Sequence, residues 1–121
     1  MSTQRHEIEA WLGDDHGLTD EQIDDLMREA DEIAERYPDE GDQEERDAAL
    51  TTAYRLMTGE VEEIVEELGR ERLAARIAEA KALAGLRQAA TMLIPTAESE
   101  SGFARRANVD RMAVRGWLGK R

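Results

Sequence analysis

Six cationic side chains, Arg105, Arg106, Arg111, Arg115, Lys120 and Arg121, fall within residues 101–121, where they face one acidic residue, Asp110. That segment is net +5 in a 121-residue chain whose formal total is −12. Clustered guanidinium groups have the chemistry of a polyanion-binding surface. The rest of the chain has the opposite character. Residues 1–69 hold five Arg against 23 Asp and Glu, net −18, whereas residues 70–121 hold 11 basic against five acidic side chains, net +6. A basic segment attached to an acidic body points to two separate jobs in one chain.

Other chemistries find little support. With no cysteine there are no disulfides, thiolate-bound zinc, iron–sulfur clusters or thiol nucleophiles. His6 and His16 are ten residues apart with Asp14 and Asp15 between them. A zinc or catalytic site needs three or more groups converging on a fixed frame, and a stretch flanked by Gly13 and Gly17 reads as solvated surface. Leu18 to Asp31 resembles the helix entering an EF-hand. A loop starting at Asp31, however, would put Ile33, Glu35 and Arg36 at its third, fifth and sixth positions with Pro38 inside, which cannot build an oxygen cage. No phosphate-binding or nucleophile motif of the GxxxxGK[ST], GxGxxG or GxSxG kinds occurs. The chain is expected to carry no metal, no cofactor and no enzymatic activity.

The elements that must position the basic segment read as helices throughout, so an all-α fold is expected: an acidic N-terminal bundle or helical hairpin, then a C-terminal three-helix unit. Only five residues are aromatic, leaving Leu, Ile, Val, Ala and Met to build the core. Ile8, Trp11 and Leu12 share a face of a short helix over residues 3–12 that Gly13 stops. Thr19 and Gln22 form a capping box for a helix with the stripe Ile23, Leu26, Met27, Ala30, Ile33, Ala34 and Tyr37, closed by Pro38. Asp42 and Glu45 offer a second capping box. Leu50, Tyr54, Met57, Val61, Ile64 and Leu68 follow at spacings of 4, 3, 4, 3 and 4, which predicts one helix over residues 43–68 running through Gly59 and ending at Gly69. This seam suits either a dimer interface or packing within the chain, and the two do not exclude each other. A further helix, with Leu86, Ala90 and Leu93 on its packing face, runs to Pro95.

The stretch from Ser99 to Leu118 is the most specific in the chain. It resembles the helix-turn-helix of bacterial and phage repressors over Glu100 to Gly119. The resemblance implies Ala104 where two helices cross, Ala107 facing inward, Asn108 at the turn usually given to Gly, and Val109, Val114 and Trp117 in the core. Ser99 and Asp110 would cap the two helices. It further implies that Arg111, Met112 and Arg115 on the second helix reach base edges, while Arg105, Arg106, Lys120 and Arg121 hold phosphates.

The division expected on this basis is an acidic region over residues 1–81, for dimerisation or partner binding, and a DNA-binding unit over residues 82–121. The expected partners are double-stranded DNA, a second copy of the chain and a protein bound by the acidic helices. An alternative is an acidic interaction module, a DNA mimic or binder of a basic partner, with structural C-terminal helices. No run approaches the roughly 18 apolar residues of a membrane helix and no signal peptide is apparent, so the expected location is the cytoplasm, on the nucleoid.

Overall fold

The computed structural model describes residues 3–59 and 61–120, and among them the fold is all-α. Six helices follow in order: α1 (Arg5–Leu12), α2 (Asp20–Arg36), α3 (Gln43–Thr58), α4 (Val61–Leu93), α5 (Glu100–Ala107) and α6 (Arg111–Trp117), with a 3₁₀ turn at Glu40–Asp42 before α3. Two compact units divide the chain, Met1–Leu68 and Gly69–Arg121, so the division falls upstream of the expected boundary at Ala82.

In the first unit α2 is the central element. Thr19 Oγ1 accepts from the Gln22 N–H at 3.1 Å and Gln22 Oε1 from the Thr19 N–H at 2.9 Å, closing the capping box that starts the helix. Its apolar stripe buries Ile23, Leu26 and Ile33, whereas Ala34 is exposed. Ile8 of α1 joins Ile23 and Leu26 in the core, and Leu50, Ala53 and Met57 of α3 pack against them. Arg5 ties α1 to the start of α2, donating to Asp20 Oδ1 at 2.6 Å and to Glu9 Oε1 at 2.9 Å. After α2, Arg46 Nη1 reaches back to the carbonyl oxygens of Tyr37 (2.6 Å) and Asp39 (2.7 Å), satisfying acceptors at the helix end.

Three expectations for this region are corrected. Asp42 precedes α3, but its side chain makes no capping bond. Its backbone, at φ −95° and ψ 19°, continues the 3₁₀ turn instead of taking the extended conformation that aims a capping oxygen into the helix. The helix expected over residues 43–68 ends at Thr58, and Gly59 is extended (φ −124°, ψ −172°). A Cβ on Gly59 would lie 3.0 Å from Arg55 O and 3.3 Å from Ile64 Cδ1, so the chain turns where only glycine lets Ile64 come close. Gly69, the expected break, lies inside α4, where an added Cβ would meet nothing within 4 Å. The surrounding Leu, Arg, Glu and Ala are strong helix formers and outweigh one glycine.

The seam is therefore not one stripe. Leu50 and Met57 turn onto the first unit's core, Tyr54 is half-buried, Ile64 is buried beyond the break, and Val61 is 56% exposed with Leu68 also exposed.

In the second unit α4 ends at Leu93, and Ala90, Phe103, Ala104 and Val114 form the buried core. Leu86, Leu93, Ala107, Val109, Trp117 and Leu118 pack around it. Residues 71–80 of α4 are exposed without exception.

Candidate nucleic-acid interface

Two short capped helices present the basic side chains. Ser99 Oγ accepts from the Gly102 N–H at 3.0 Å to start α5, and Asp110 Oδ1 accepts from the Met112 N–H at 2.8 Å to start α6. Between them Asn108 takes the left-handed conformation, φ 58° and ψ 45°, the one such non-glycine among the described residues. Asparagine tolerates that region better than other residues with a Cβ. The turn is sealed by the Val109 N–H donating to Ala104 O at 3.0 Å. Ala104 and Val114 are buried, and Ala107, Val109 and Trp117 are half-buried against the same core.

The cations fall into two groups. Arg105 is exposed on α5, Arg111 has 58% of its side chain exposed at the start of α6, and Met112 beside it is exposed too. The second group, Arg115 and Lys120, is held by an acid that also lies near Arg111. Glu100, on the first turn of α5 with 12% of its side chain exposed, accepts from Lys120 Nζ at 2.7 Å and from Arg115 Nη1 at 3.0 Å, with Arg111 Nη2 3.9 Å away. The hydrogen bond from Lys120, reinforced by the charges of Lys120 and Arg115, holds the Glu100 carboxyl below the usual carboxylate range against the opposing pull of desolvation. Arg106 pairs with Glu98. Arg121 lies outside the described residues.

Glu98, Glu100 and Phe103 are the site residues that sequence reasoning passes over. Phe103 carried a signal, since it stands four residues before the inward-facing Ala107 on one helical face. Glu100 carried none, because its partners are 15 and 20 residues away in sequence.

The chain matches no family model, no curated protein and no solved structure.

Elsewhere, His16 serves its own loop. Its Nδ1 accepts from the Leu18 N–H at 2.9 Å, and its carbonyl accepts from Tyr54 Oη at 2.9 Å. Among the described residues no three His, Asp or Glu side chains converge on a metal-sized site, and no helix is long and apolar enough to cross a membrane.

Proposed function

We propose that the second unit binds double-stranded DNA as a helix-turn-helix, with α6 in the major groove, and that the protein is a sequence-specific transcriptional regulator. The observation carrying this reading is the left-handed Asn108 turn between two capped helices packed through Ala104 and Val114, set in the one strongly basic stretch of the chain. Arg111 and Met112, exposed at the start of α6, are the base-reading side chains. Arg115 joins them by exchanging Glu100 for a guanine edge, and Arg105, Arg106, Lys120 and Arg121 take phosphates. A single module makes few contacts, so two copies would bind half-sites about one helical turn apart. The first unit, net −18, has the wrong sign for DNA and serves self-association or a protein partner. Such a regulator would act in the cytoplasm on the nucleoid.

A second reading has the C-terminal helices as structural parts of an acidic interaction protein. The engagement of Arg115 and Lys120 by Glu100 favours it, since that pairing already neutralises cations that DNA would need.

Fluorescence anisotropy of the full chain against a random duplex pool at two salt concentrations, followed by selection, separates the two. Salt-sensitive binding with an enriched sequence supports the regulator. Absence of binding at low salt overturns it in favour of the interaction protein.

A further inference from the structure

Among the described residues, two surfaces of opposite charge are left uncovered. The first is a groove of about 290 Å³ in the first unit, where α1 and α3 both rest on α2. Ala30 and Ile33 line it from α2, Ile8 and Trp11 from α1, and Leu50 from α3, with Glu7 and Asp47 also in its lining. The unit around it is net −18. Arg46, the one cation lining the groove among the described residues, is committed to the carbonyls of Tyr37 and Asp39.

The second surface is the uncovered stretch of α4 in the second unit. Leu73, Ile77, Ala80 and Ala84 recur at i, i+4, i+7 and i+11, with Leu73 57% and Ile77 48% exposed. Residues 70–87 around them hold five basic against two acidic side chains, net +3. Most helical stability in proteins comes from packing an amphipathic face, and here that face is bare.

We infer that these surfaces bind each other between two copies of the chain, the Leu73–Ile77 face of α4 from one copy lying in the Trp11–Ile33–Leu50 groove of the other. This is helix-in-groove recognition with apolar anchors inside and charge complementarity at the rim. Charge favours the groove, with Glu7 and Asp47 in its lining, over an in-register pairing of residues 70–87 with themselves, which would set one +3 segment on another. Made reciprocally between two copies, the contact is two-fold and buries both apolar faces. The inference specifies the pairing that the proposed regulator would use, but it stands on self-association alone and is tested without DNA.

Sedimentation velocity of the full chain, over a wide range of concentration, supplies the test. The wild type is expected to dimerise. Leu73→Glu/Ile77→Glu and, separately, Glu7→Lys/Asp47→Lys are each expected to raise the dissociation constant about tenfold or more. All four residues are exposed, so circular dichroism is expected to match the wild type. Mixing the two variants restores a heterodimer through the one groove–helix contact left intact. A monomeric wild type at every concentration overturns the inference. So does a dimer indifferent to Glu7→Lys/Asp47→Lys but broken by Leu73→Glu/Ile77→Glu, which would mean α4 pairs with α4.

Discussion

Glu100 Oε2 on α5 lies 3.0 Å from Arg115 Nη1 on α6, and the same carboxylate accepts from Lys120 Nζ at 2.7 Å. One acid thus holds together the helix expected to read bases and the chain beyond it. It also competes with any phosphate for those cations. The charge that orders the unit therefore opposes the binding proposed for it.

Replacing Glu100 with Gln removes that competitor. Affinity for DNA of any sequence is expected to rise about threefold to tenfold, with a salt dependence steeper by about one or two counterions. Anisotropy titrations on specific and random duplexes check this, and an unchanged slope would separate the Glu100 cluster from DNA binding.

The same carboxylate predicts a pH dependence. Its value in the folded unit lies below the unfolded one, so the pairing contributes its full stability above the ordinary glutamate range near pH 4.3 and loses it as pH falls through the lowered value. Thermal unfolding of the wild type is expected to drop more steeply than that of Glu100→Gln as pH is lowered below about 4.3.

Asn108 and its neighbours predict a contrast in stability. Asn108→Gly is expected to be neutral or mildly stabilising, because glycine takes φ 58° without steric cost. Asn108→Val is expected to cost about 1–2 kcal/mol in chemical denaturation, since a β-branched residue is strained in the left-handed region.

Two glycines in the middle of the chain are expected to respond in opposite directions. Gly69→Ala lies within α4 with open space around the new methyl group and should stabilise by about 0.5–1 kcal/mol. Gly59→Ala puts a methyl group 3.0 Å from Arg55 O, a backbone atom of α3 that cannot swing away, and should destabilise by about 1–3 kcal/mol. Equal effects at the two sites would contradict a break at Gly59 and continuity at Gly69.

Arginine substitutions test the proposed docking. Arg111→Ala is expected to relax specificity at one base pair at a cost of about 1–3 kcal/mol, whereas Arg106→Ala weakens binding evenly across sequences and lowers the salt slope by about one. Selection and titration on the same pool distinguish the two, and negligible effects from both would argue against α6 in the major groove.

Local rules made much of this fold legible. The Thr19–Gln22 capping box and the stop at Pro38 depend on a few neighbouring residues, so spacing placed them, whereas the caps at Ser99 and Asp110 and the turn at Asn108 were implied by the resemblance to a helix-turn-helix. The 4-3-4-3 run from Leu50 to Leu68 misled for the converse reason. Apolar periodicity persists through Gly59 because it records which residues are apolar, not whether the backbone connecting them stays helical. The close approach of Ile64 to Gly59 is a contact between consecutive helices, invisible to a propensity rule that treats Gly59 and Gly69 alike.

What the order of residues determined by itself is the all-α class, the helices of the C-terminal segment and the separation of charge between the two ends, because helix formation, capping and net charge are local or additive. Tertiary structure alone decided that the chain divides near Leu68, that Arg115 and Lys120 converge on Glu100, that a groove stays open over Ile33 and that Leu73 and Ile77 stand uncovered. Those facts depend on which distant side chains meet. A carboxylate 15 residues from an arginine becomes its partner only once α5 and α6 have packed on their shared core.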